Sequence, residues 1–145
     1  MLRRINICIL IIVVLLILIS LSGCTGIKTA NLEISFDPDP VHCENDHLYW
    51  DVIISETNGI GVNLKNITID AYVGDDYTGN SDILDEPWME EVWGTSYLSA
   101  FSSVNYSSGT SPCEWNVGVT LKYKVTGIDD DGHQVEATAD LELMD

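Results

Sequence analysis

Three groups of residues in this 145-residue chain have types and spacings that could do chemistry. Asp129-Asp130-Asp131, ahead of Gly132, is a run of carboxylates that could ligate Ca²⁺, a hard cation that takes oxygen donors, with Asp75, Asp76 or Asp82 adding further ligands. The EF-hand spacing is missing, and consecutive acids before a glycine also describe a solvated turn. Trp88 and Trp93, with Tyr97, Phe101 and Tyr106 nearby, could form an aromatic platform for a sugar or a partner protein. The competing reading is that these rings cap an open edge of the core. Asn66-Ile-Thr and Asn105-Tyr-Ser are acceptor sequences for N-glycosylation. Catalysis has no comparable signature: Gly-x-Ser-x-Gly, His-Glu-x-x-His and a phosphate-binding glycine loop are all missing. Glu90-Glu91 is an adjacent acid pair expected by chance in so acidic a chain, and a small domain rarely encloses the two-carboxylate cleft of a glycosidase. The expectation is a non-enzyme without a cofactor.

These groups stand behind a hydrophobic N-terminus. After Met1-Leu2-Arg3-Arg4, residues 5–21 are aliphatic except for Asn6, Cys8 and Ser20. Seventeen residues is the lower limit for crossing a bilayer, whereas a basic flank, an apolar run and small residues at its exit describe a secretory signal. Leu21-Ser22-Gly23-Cys24 resembles the lipobox of prokaryotic lipoproteins. That resemblance implies a signal peptide over 1–23, lipid attachment at Cys24 and a tether over 24–30. An uncleaved membrane anchor is the alternative, and both readings place the rest of the chain outside the cytoplasm. The remaining pair, Cys43 and Cys113, then occupies an oxidising compartment and is expected to form a disulfide. There is no CxxC, and His42, His47 and His133 lack zinc-ligand spacing.

Residues 24–145 hold all 23 acidic residues against four lysines, Lys28, Lys65, Lys122 and Lys124, a net charge of −19. Such a surface repels nucleic acid and anionic lipid headgroups and favours solubility. Partners are expected to be the membrane, through the N-terminus, and other envelope proteins or polysaccharide.

Past the tether the hydrophobic period is two. Leu32, Ile34 and Phe36 alternate up to Asp37-Pro38-Asp39-Pro40, which cannot continue a ladder. Leu48, Trp50, Val52 and Ile54 share even parity and end at Thr57-Asn58-Gly59. Val62 and Leu64 are even while Ile67, Ile69, Ala71 and Val73 are odd, so a β-bulge is expected near Lys65-Asn66. Val117 to Val125 and Val135 to Leu143 alternate about the turn at 129–132. Residues 74–112 are the least regular. Pro87, the acids beside it and Gly94 predict a short helix there, while Ser102, Ser103, Ser107, Ser108 and Ser111 predict a solvated loop.

Together these segments predict an all-β protein, an antiparallel sandwich of about seven strands over 31–145, preceded by the hydrophobic signal helix. The stretches WDVIISETNGIGVNLKNITIDAYV and LKYKVTGIDDDGHQVEATADLEL resemble the B to C and F to G segments of immunoglobulin-like and fibronectin type III-like domains of prokaryotic surface lipoproteins. The antibody-type Cys…Trp…Cys arrangement is missing. The resemblance implies that the connections holding Cys43 and Cys113 share one end of the sandwich, where a disulfide would staple them. It also implies a non-catalytic, lipid-anchored module of the cell envelope, with a small-ligand binder as the alternative.

Overall fold

The computed structural model describes residues 28–110 and 112–145. The hydrophobic run, Cys8 and the lipid-attachment candidate Cys24 lie outside the described residues. The first alternating segment is β1 (Leu32–Asp37), and the Asp-Pro repeat that ends it carries the chain into the two-residue β2 (Val41–His42). Then follow β3 (Leu48–Glu56), β4 (Val62–Val73), β5 (Asp76–Asp85), helix α1 (Glu86–Trp93), the short β6 (Tyr97–Leu98), β7 (Ser103–Thr110), a 3-10 turn (Cys113–Trp115), β8 (Val119–Asp129) and β9 (Gln134–Met144).

These strands form two sheets. One has the order β1-β3-β7, the other β2-β9-β8-β4-β5 with β6 added beside the start of β4. Long neighbours pair antiparallel, and β2 departs from that rule by running parallel to β9. The β1 to β2 passage from one sheet to the other closes that flank of the sandwich. The opposite flank has two free edges, β5 and β7.

Parity explains the core. Leu48, Trp50, Val52 and Ile54 of β3 face Val62, Leu64 and Ile67 of β4, Tyr123 and Val125 of β8 and Leu141 and Leu143 of β9, all buried. The parity slip in β4 is a register shift between Leu64 and Asn66 against β8, so the expected bulge is present.

Three expectations are corrected. The stretch 74–112 contains two full strands, of ten and eight residues. Ser103, Ser107 and Ser108 belong to β7, where Val104 and Tyr106 turn inward between exposed neighbours. Val117 precedes β8 and is exposed, so it does not open that strand.

The ends of the sandwich differ. Val62 of β4 pairs with Asp129 and Val73 with Val119, so the 57–61 and 130–133 connections and the start of β1 share one end. The opposite end holds the disulfide between Cys43 and Cys113, whose Cα atoms are 6.0 Å apart and which joins the β2 to β3 and β7 to β8 connections.

Candidate functional site

Helix α1 forms where the sequence places its signals. The Asp85 carboxylate accepts from the Trp88 N–H, Pro87 stands in the first turn, and Gly94 closes the helix at φ 75° with its N–H on the Glu90 carbonyl. This helix crosses the open flank between β5 and β7 and buries Met89 completely. Trp88 and Trp93 lie half-buried against the core with Tyr106 of β7. Their ring centroids are 5.6 Å apart with planes at 80°, and Trp88 meets Tyr106 edge-on at 5.2 Å. The Trp93 indole N–H donates to the Asn105 carbonyl at 2.9 Å. This is edge-to-face packing, and Trp88 and Trp93 share no plane on which a sugar ring could lie.

The other two aromatic candidates are elsewhere. Tyr97 and Phe101, 39% and 74% exposed, stand at the end of the sandwich opposite the disulfide. The Tyr97 hydroxyl donates to the Asp130 carboxylate at 3.1 Å, which raises its pKa. Phe101 takes a left-handed backbone, φ 54°, and its ring lies over Gly59, where any side chain would collide with it. The five aromatic residues therefore divide into a wedge in the flank and a pair at one end.

What organises that end is a carboxylate that belongs to no motif. Glu56, 2% exposed, accepts backbone N–H bonds from Asn31, Asn58, Gly59, Ile60 and Phe101 at 2.7 to 3.2 Å. Burial raises its pKa, but the bonds from Phe101, Asn58, Asn31 and Gly59 outweigh that and hold it at about 2. Asp129 is its counterpart on β8, buried and accepting from the N–H groups of Ala30, Asp131 and His133. Burial raises its pKa as well, and bonding to the His133 N–H, the Ala30 N–H and the His133 ring brings it below the ordinary value. The signal for both was parity: residue 56 continues the inward even series of β3, and residue 129 the inward odd series of β8.

The carboxylates grouped as possible Ca²⁺ ligands are not brought together. Asp75 and Asp76 sit at the far end of β4, roughly 35 Å from Asp129 at the rise of an extended strand, and Asp82 pairs with Ile69 partway along the edge strand β5. Among the described residues no group of three or more His, Cys, Asp or Glu side chains is disposed to hold a metal. Asp130 and Asp131 are exposed, as are the sequon residues Asn66 and Asn105.

Beyond α1, towards the disulfide, the open flank leaves a groove of about 380 Å³. Trp50, Ile69, Leu121 and Tyr123 line its floor, and Asn80 and Asp82 of β5 its rim. The Trp50 indole N–H donates to the Tyr123 hydroxyl at 3.0 Å. Burial pushes the Tyr123 pKa up against the lowering effect of the Trp50 hydrogen bond, and the Asp82 carboxylate adds a smaller rise. Asp82 has no cationic partner among the described residues.

The fold and its fixed ends define a disulfide-stapled β-sandwich module. No family model and no curated protein sequence matches the chain. Among solved structures it is similar to the CARDB domain of the PF1109 protein of Pyrococcus furiosus, determined in complex with di-metal ions: 14% identity, TM-score 0.42, 83% of this chain and 98% of that one. It is also similar to the putative ApaA protein of Bordetella pertussis, at 12% identity and TM-score 0.43 over 80% of this chain and 96% of that one. For the sporulation control protein Spo0M of Bacillus subtilis the values are 10% and 0.44, over 82% of this chain and 51% of that one.

Proposed function

We propose that this chain is a non-catalytic, lipid-anchored protein of the cell envelope that presents an immunoglobulin-like sandwich outside the cytoplasm as a structural or interaction module. The observation that carries the reading is the Cys43–Cys113 pair, brought together across two connections far apart in sequence. Such a bond persists in oxidising compartments, which agrees with a hydrophobic N-terminus ending in Leu21-Ser22-Gly23-Cys24. The packing of Trp88, Trp93 and Tyr106 into the flank also favours a structural role for that cluster. Expression in a bacterial host with lipoprotein processing tests the reading. The wild type should fractionate with membranes, with Cys43 and Cys113 resistant to alkylation until reduced, and Cys24→Ser should lose the lipid and any cleaved product should leave the membrane fraction. Two alkylatable thiols in the exported, folded protein, or an uncleaved Cys24→Ser protein as membrane-bound as wild type, would count against it.

A second reading, a small-ligand binder, is favoured by the groove beside Asp82. Its volume lies at the lower end of the range for ligand sites, and an apolar floor beneath one carboxylate suits an organic cation. Thermal-shift screening with alkyl and aryl amines should then find a stabiliser whose effect disappears in Asp82→Asn. No shift with any amine would leave the structural module alone.

A further inference from the structure

The chain enters the sandwich at the end that carries Phe101 and Tyr97, whereas Tyr49 and Tyr77 are exposed towards the disulfide end. Residues 29–31 are held there from both sides: the Ala30 N–H donates to Asp129, the Asn31 N–H to Glu56, the Thr57 N–H to the Asn31 carbonyl and the Asn58 side-chain amide to the Thr29 carbonyl. Only five residues separate Ala30 from Cys24, a reach of about 20 Å at full extension. The disulfide end lies a full β4 strand further away, roughly 35 Å. Phe101, Tyr97 and Ile128 are exposed at the near end, with Phe101 fixed in its left-handed conformation by the bond from its N–H to Glu56.

We infer that this end of the sandwich faces the bilayer and rests Phe101 and Tyr97 at the lipid–water interface, with the disulfide end and the open groove directed away. The inference rests on the N-terminal anchoring proposed above. Aromatic side chains suit the interface, where an apolar ring meets headgroups. Asp130 and Asp131 beside them disfavour anionic lipid, so the surface that fits is zwitterionic.

Depth-dependent quenching tests the orientation. Full-length lipidated protein is reconstituted in phosphatidylcholine vesicles containing a lipid with a nitroxide near the headgroup, and a fluorophore is placed at Phe101→Cys, Asp131→Cys or Asp75→Cys in turn. Labels at 101 and 131 should be quenched at least threefold more than the label at 75, which lies at the disulfide end. The Asp131 site keeps the test valid if Phe101→Cys disturbs the fold. Flotation with the vesicles but equal quenching at all three positions, or stronger quenching at 75, overturns the orientation while leaving the anchor intact. Protein that fails to float overturns the anchor and the orientation with it.

Discussion

At the scale of single residues, Glu56 shows how a charge can be buried without a cation. Five backbone donors surround it, and each is a group whose own burial would be costly if unpaired. Glu56→Gln removes the charge and turns an amide N–H₂ towards those donors, so it should cost about 3 kcal/mol in urea unfolding at pH 7. A loss below a few tenths of a kcal/mol would mean that the loops hold themselves. The sign of the pH dependence follows from a folded pKa of about 2 against an ordinary value of 4.5. The stability Glu56 supplies is fully present above pH 4.5 and is lost as pH falls from there through about 2. Asp129, also held below its ordinary value, acts in the same direction. Melting curves across that window should be steeper in pH for wild type than for Glu56→Gln.

At the scale of elements, α1 does for one flank what the β1 to β2 crossover does for the other. Met89, Trp88 and Trp93 fill the space between two free strand edges, so the aromatic cluster is a packing element before it is anything else. Trp88→Ala should therefore lower stability by about 2 to 3 kcal/mol, and a folded variant that melts as wild type does would return the cluster to the surface. The disulfide acts on a longer loop, 70 residues in sequence separation. Replacing both cysteines, Cys43→Ala with Cys113→Ala, should cost about 4 kcal/mol on the chain-entropy account, read as a lower urea midpoint that reductant no longer changes. Strand β5 is the weak element: exposed on nearly every residue and paired on one edge alone, it should be the first to exchange its amide hydrogens.

At the scale of the whole molecule, a net charge of −17 repels itself in the folded state. Raising NaCl from about 10 mM to about 0.5 M, which shortens the screening length from roughly 30 Å to a few Å, should raise the melting temperature at pH 7. An unchanged or lower value would show that the ion pairs Lys65–Glu86 and Lys124–Glu136 outweigh the excess acid. Several features were legible from residue order alone, because each depends on neighbours near in sequence. The faces of β1, β3, β8 and β9, the bulge in β4 and the proline start and glycine stop of α1 are of this kind. Strand β5 was not, since all but Leu84 of its residues are exposed and no alternation marks it; nor was β7, whose small serines hide the inward Val104 and Tyr106. The tertiary structure alone decided how the five aromatics divide, because Trp88 and Tyr106 meet across two elements while Tyr97 and Phe101 follow the turn after α1 to the end opposite the disulfide. It also decided that Asp129 binds backbone N–H groups and stands a strand's length from Asp75. Periodicity says which face a side chain takes, and only the closing of one sheet over the other says what that face meets.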